Sequence, residues 1–151
     1  MLIRPDDLTA PEVHALLAAH VADMYRISPP GSVHVLDVEG LRKPEVRFYT
    51  LWIDGQLAGC GALKELDPTH GELKSMRTAE GFRGRGVGQA MLAHLLAEAK
   101  TRGYTRVSLE TGSQPFFQPA WALYEGAGFT DWPPFDHYVD DPNSRFMTKA
   151  L

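Results

Sequence analysis

The sequence predicts an α/β protein, a mixed β-sheet with helices on both faces. Three observations predict it. A strand pattern over 72–78 runs into a glycine-rich loop and then an amphipathic helix that ends at Arg102. Ahead of that unit, two strands flank Asp54-Gly55, a strong two-residue hairpin turn. Behind it, further strands alternate with a short helix. Such alternation places helices against both sides of one sheet.

Leu2-Ile3-Arg4 reads as a short first strand. Thr9-Ala10-Pro11-Glu12 fits a capping box, with Thr9 as N-cap and Glu12 reaching back. Val13, Leu16, Leu17, Val21 and Met24 then share one helical face, and Ser28-Pro29-Pro30-Gly31 breaks the helix. Residues 25–45 read either as a plain connection or, given their length and Tyr25, Arg26 and His34, as a lid on the substrate side. A short helix fits 35–41, stopped by Lys43-Pro44. The hairpin strands are 46–54, rich in aromatic and β-branched residues, and 56–65. Gly59-Cys60-Gly61 in the second marks a bulge or close packing, with Cys60 a small core residue rather than a nucleophile.

Met91, Leu92, Leu95, Leu96 and Ala99 recur at helical steps, and Lys100-Thr101-Arg102-Gly103 is a basic last turn followed by a glycine stop. A strand follows at 106–111, then a loop over 112–118. Pro119 starts a short helix with Ala120, Leu123 and Tyr124 at helical spacing, ended by Gly126 and Gly128. Phe129 begins a further strand, an irregular segment follows, and 145–151 closes the sheet.

The chain has 151 residues, enough for one domain over 1–151 with its own core. A net charge of −4 argues against nucleic acid or an anionic membrane as partner. No apolar run approaches the ~20 residues of a membrane span, and no secretory leader pattern is present. The single cysteine, Cys60, excludes an internal disulfide and points to a reducing, cytoplasmic home. The six histidines have no metal-site spacing, so no metal is expected. A monomer or homodimer is expected.

Between the central strand and its helix, Gly84, Gly86 and Gly88 alternate with Arg83, Arg85 and Val87. Glycines let a ligand approach main-chain N–H groups, and a helix N-terminus adds free N–H groups and partial positive charge. This is an anion site, most often for phosphate. A Walker loop is excluded because Val87-Gly88, not Lys-Ser/Thr, follows Gly86. A dinucleotide fingerprint fails because Gln89 or Met91 occupies the third glycine position.

What remains, Arg83-x-x-Gly86-x-Gly88, resembles the acyl-CoA-binding motif of the GNAT superfamily of N-acetyltransferases. A second stretch, Ala120-x-x-Leu123-Tyr124-x-x-x-Gly128-Phe129, resembles that family's C-terminal signature. The resemblance covers 46–151 well and the first 45 residues loosely. It implies a GNAT-like fold with two splayed parallel strands, 72–78 and 106–111, and acetyl-CoA as co-substrate. It places the pyrophosphate on Arg83, Gly84, Arg85, Gly86, Val87, Gly88 and Gln89, and the pantetheine arm on the backbone of Met76, Arg77 and Thr78. In one respect the chain departs from the family: Phe117 stands where the signature has Asn, with Gln118 next to it as a substitute.

The resemblance makes Tyr124 the general acid that protonates the departing thiolate; otherwise the ring packs at a helix–sheet seam. Glu72 is the candidate general base that takes the proton of the attacking amine, and Glu110 on the neighbouring strand competes for the role. In an unbroken strand Glu72, Lys74 and Met76 point to one face, so Lys74 stabilises the Glu72 anion and weakens it as a base. A backbone N–H near Met76 is the family-like oxyanion donor. The acceptor is expected among 25–45, the 47–52 strand and 131–145. Trp132, Phe135, Asp136, His137 and Tyr138 suit a small amine, and Arg26, Lys74, Arg77 or Arg145 an acceptor carboxylate. The leading expectation is acetyl transfer from acetyl-CoA to the primary amine of a small molecule. Two others stand beside it: a non-catalytic acyl-CoA-binding regulator, and an acetyltransferase of protein N-termini or lysines.

Overall fold

Asp54 and Gly55 both take positive φ, 49° and 76°, the geometry of a tight hairpin turn whose twist matches the flanking strands. The hairpin they close lies within a seven-stranded sheet described, with the rest of residues 1–151, by a computed structural model. In chain order the elements are β1 (Leu2–Pro5), α1 (Pro11–Ile27), α2 (Val38–Leu41), β2 (Val46–Ile53), β3 (Gln56–Asp67), β4 (His70–Thr78), α3 (Val87–Thr101), β5 (Arg106–Gly112), α4 (Gln118–Gly126), β6 (Thr130–Asp131) and β7 (Ser144–Ala150). The strand order is β1-β2-β3-β4-β5-β7-β6. Every neighbouring pair is antiparallel except β4 and β5.

The two faces of the sheet carry separate cores. Met91, Leu92, Leu95 and Ala99, the apolar stripe of α3, pack with Leu51, Leu63, Leu73, Val107 and Leu109. Val13, Leu16 and Leu17 of α1 and Leu41 of α2 pack with Val46, Phe48, Cys60 and Ala62 on the other face. Helix α3 sits close to β3 because the strand has no side chains there. A Cβ on Gly59 would lie 2.7 Å from Val87 Cγ1, and one on Gly61 2.7 Å from Met91 Cγ. Cys60, between them, is fully buried, and desolvation pushes its thiol up to about 12, so it remains an inert thiol.

Two local expectations fail. The capping box does not form: Thr9 Oγ1 donates to Asp7 Oδ1 at 2.6 Å, and Ala10 stands at the N-cap of α1. Strand β4 is also not an unbroken strand. Cys60 pairs with Arg77 but Ala62 with Lys74, so Ser75 and Met76 together oppose the single Gly61. This is a β-bulge, with Ser75 at φ 55° and its carbonyl accepting from Cys60 Sγ at 3.2 Å. The extra residue turns Met76 to the α3 face, where it joins that core. Glu72 and Lys74 remain together on the other face, and Arg77 points to α1, where it bonds Asp23.

Phe117, at the position of the family's Asn, is buried with its ring over Gly112 at the end of β5. A Cβ on Gly112 would lie 2.0 Å from that ring. Gly112→Ala is therefore expected to destabilise the protein by about 1–3 kcal/mol, the usual cost of overpacking. A lowered urea midpoint with unchanged slope checks it.

Candidate active site

Strands β4 and β5 pair at only three positions, His70 with Arg106, Gly71 with Val107 and Glu72 with Ser108. Beyond them β4 stays on β3 as far as Thr78, and β5 stays on β7 as far as Gly112. The parallel strands therefore part at their carboxyl ends, the usual ligand crevice of such sheets. A cavity of about 660 Å³ opens there, walled by β4, β5, the loop before α3, α1, the residues after α1, and α4.

The loop before α3 forms one wall of the cavity. Gly84 and Gly86 take φ of 76° and 79°, a region that side chains disfavour. Gly86 is the N-cap of α3, and the first helical bond runs from Ala90 N to Gly86 O. The amides of Val87, Gly88 and Gln89 precede it and have no partner within the helix. Gly88 lies against α4, since a Cβ there would meet Leu123 Cδ2 at 3.2 Å. Arg83 lines the cavity as well.

Tyr124 lines the same cavity from α4, packed on Phe129 with ring centroids 5.7 Å apart. Burial alone pushes its phenol above the ordinary value, so the hydroxyl stays protonated. Two carboxylates, Glu72 on β4 and Glu110 on β5, stand where the strands part. Glu72 is 1% exposed. Its Oε2 accepts from Lys74 Nζ at 3.2 Å and from Tyr138 Oη, and Lys74 Nζ also donates to Tyr138 Oη at 2.8 Å. Glu110 accepts only from Ser144 Oγ, at 2.7 Å. Burial raises its carboxyl above the usual range, with the Glu72 charge adding to the effect.

Residues after α1 also line the cavity. Ser32 Oγ donates to Asp141 Oδ2, and Asn143 Nδ2 lies 3.4 Å from Ser32 Oγ, which ties the turn at Pro30–Ser32 to the segment before β7. His34 meets Tyr138 edge to face at 5.2 Å. On α1, Asp23 Oδ2 accepts from Arg77 at 2.7 Å, and burial, with Arg77 nearby, lowers His20 to about 4.

Of the residues expected from sequence, Met76, Arg77, Thr78, Arg83, Gly84, Gly86, Val87, Gly88, Gln89, Tyr124, Glu72 and Glu110 all line this one cavity. Arg85 does not; its guanidinium lies 5.1 Å over the Phe82 ring. Gln118 is exposed at the start of α4 and does not replace the missing Asn at the cavity wall. Arg145 is turned to Asp131 and Glu125, away from the cleft. Sequence reasoning missed His20, while Ser32 and Asn143 fall within the expected segments 25–45 and 131–145 without having been singled out. His20 had a signal: three residues after Leu17, it interrupts the apolar stripe of α1 with a polar ring.

Residues 13–129 match the model of the Acetyltransferase (GNAT) family. The chain is 52% identical over 151 residues to the uncharacterized N-acetyltransferase YsnE of Bacillus subtilis, covering all of both chains. It is 51% identical over 149 residues to the uncharacterized N-acetyltransferase YedL of Escherichia coli, covering 99% of this chain and 94% of that one. A putative acyl-CoA N-acyltransferase from Klebsiella pneumoniae superposes with a TM-score of 0.81 at 30% identity, over 99% of this chain and 97% of that one. No helix is long and apolar enough to cross a membrane. The parted strands, the glycine loop at a helix start and these likenesses agree: the chain belongs to the GNAT family and is an acetyl-CoA-dependent N-acetyltransferase.

Proposed function

We propose that the protein transfers acetyl from acetyl-CoA to the primary amine of a small molecule. The observation that carries this reading is the pair of carboxylates, buried Glu72 and half-buried Glu110, in the same cavity as Tyr124. The pyrophosphate would lie on the amides of 87–89 beside Arg83, and the pantetheine arm along the backbone of Met76, Arg77 and Thr78. The roof formed by Ser32, Asp141 and Asn143 favours a small acceptor over a protein chain.

The amine nitrogen attacks the thioester carbonyl carbon. A C–N bond forms, the C–S bond breaks, and the nitrogen loses a proton. Glu110 is the better acceptor of that proton, because its anion is desolvated and held by one hydroxyl. Glu72, held by Lys74 and Tyr138, faces the amine and orients it. Tyr124 gives its proton to the leaving thiolate, and the products are the N-acetyl amine and free CoA thiol. The bulge at Ser75 leaves a residue outside the strand ladder, which supports a Met76 N–H as donor to the tetrahedral oxyanion.

A panel of small amines and of peptides with acetyl-CoA, read as free thiol release, tests this function. Turnover of peptides alone, or no release above background hydrolysis, would sink it. Glu110 also sets a pH dependence. Its anion is the working form, so kcat/KM should rise with pH until Glu110 is ionised, at a pH above the ordinary carboxylate value of 4.5. Glu110→Gln should remove that acid limb and lower turnover by about 10²-fold or more. Its effect on stability has a definite sign. Because the folded value is raised, the contribution of Glu110 is fully present below the unfolded value and is lost as pH rises through the folded one. Glu110→Gln should therefore gain stability relative to the parent on passing from pH 4 to pH 7.

A further inference from the structure

Five buried side-chain atoms have no hydrogen-bond partner: His20 Nδ1, Glu72 Oε1, Arg77 Nε, His94 Nε2 and Gln114 Oε1. Three of their residues, His20, Glu72 and Arg77, line the one cavity described above. A buried polar atom without a partner costs ~1–3 kcal/mol, so three around one cavity call for a ligand that satisfies them. Their chemistry is not uniform. Arg77 Nε only donates, Glu72 Oε1 only accepts, and neutral His20 donates from Nδ1 in one of its tautomers.

Each of the two charged side chains is fixed through its other end. Arg77 is held through a terminal nitrogen by Asp23, and Glu72 through Oε2 by Lys74 and Tyr138. Neither can turn away to find a partner without breaking those bonds. The charge around them is also of opposite sign. Asp23 is shared between Arg77 at 2.7 Å and Arg26 at 3.2 Å, which leaves one positive charge in excess there. Glu72 and Glu110 face a single Lys74 at the other end, an excess of negative charge once Glu110 ionises. The pantetheine arm carries no cation to answer Glu72.

We propose that the acceptor is an amine that also carries a carboxylate, with its amine at Glu72 Oε1 and its carboxylate at Arg77 Nε and His20 Nδ1. This rests on the acetyl-transfer reading above. Glu72 and Arg77 are five residues apart on β4, at most ~17 Å at ~3.3 Å per residue, and the bulge at Ser75 shortens the span. The span leaves room for an amine and an acid several bonds apart.

The test uses matched pairs that differ only by the acid: β-alanine and ethylamine, 4-aminobutyrate and propylamine, 6-aminohexanoate and pentylamine. Each is titrated calorimetrically into the CoA-loaded protein and assayed with acetyl-CoA for thiol release. In at least one pair the acid-bearing member should bind tenfold tighter or better and show the lower KM. Arg77→Lys keeps the cation and the Asp23 pair but loses the Nε donor. It should raise the KM of the acid-bearing amine at least tenfold more than that of the plain amine. His20→Leu should act in the same direction. Equal binding within every pair, tighter binding of the plain amines, or no binding of either member would overturn the proposal. So would a loss of acetyl-CoA affinity in Arg77→Lys, which would assign the orphan donor to the coenzyme. Acid-selective binding with no thiol release would instead sink the acetyl-transfer reading and leave the subsite standing.

Discussion

Tyr124→Phe is expected to lower turnover by about 10²–10⁴, the usual contribution of a positioned acid, and to leave acetyl-CoA affinity nearly unchanged. The ring is buried in the cavity wall and packs on Phe129. Phenylalanine keeps that packing and loses only the hydroxyl. Desolvation is the one cause that shifts the phenol, and it shifts it upward. The group therefore stays protonated, and its hydroxyl is available to hydrogen-bond the sulfur as negative charge develops there. An interaction made mainly as that charge develops belongs to the transition state, so the loss should fall on kcat more than on KM. Thiol release gives the turnover and calorimetric titration gives the affinity. A fall of less than about tenfold, only ~1.4 kcal/mol of barrier, would leave Tyr124 as a packing residue.

The features legible in the sequence were those written in local spacing. The apolar stripe of α3, the Asp54-Gly55 turn and the glycine loop each lie within a few residues and formed where expected. Thr9 does not cap because the helix begins one residue later, with Ala10 at the N-cap, and the Thr9 hydroxyl donates to Asp7 rather than accepting from a helix amide. The bulge at Ser75 left no mark, since a non-glycine residue there adopts φ 55°. Without it, a period of two puts Met76 beside Glu72 and Lys74; with it, Met76 joins the α3 core. The surroundings of Glu72 were beyond sequence reasoning for another reason. Tyr138 lies 66 residues away in an irregular segment, and no periodicity says where such a segment lands. Lys74 was seen as a neighbour of Glu72, but the three-way contact with Tyr138, which leaves Oε1 as the free oxygen, needs the tertiary structure.

Gly86→Glu is expected to abolish acetyl-CoA binding. Position 86 is the N-cap of α3, with the unpaired amides of 87–89 next to it. A Cβ there meets nothing within 4 Å, so the new side chain projects into open space beside the anion site rather than being forced out by a clash. Two unit charges about 4 Å apart repel by ~4 kcal/mol at the effective dielectric of a protein surface. Since each 1.4 kcal/mol is about tenfold in affinity, a carboxylate near the pyrophosphate should weaken binding by on the order of 10³. The backbone contributes separately. Gly86 has φ 79°, and a side chain in that left-handed region costs roughly 1–2 kcal/mol whatever its charge. Gly86→Ala carries this strain without the charge and so serves as the control. Calorimetric titration of both variants with acetyl-CoA, after thermal unfolding has shown that each is folded, separates the two effects. A modest loss in the alanine variant and a complete loss in the glutamate variant places the pyrophosphate at this helix start. Equal losses would mean that loop conformation, not charge, governs binding, and unchanged affinity in the glutamate variant would move the coenzyme elsewhere.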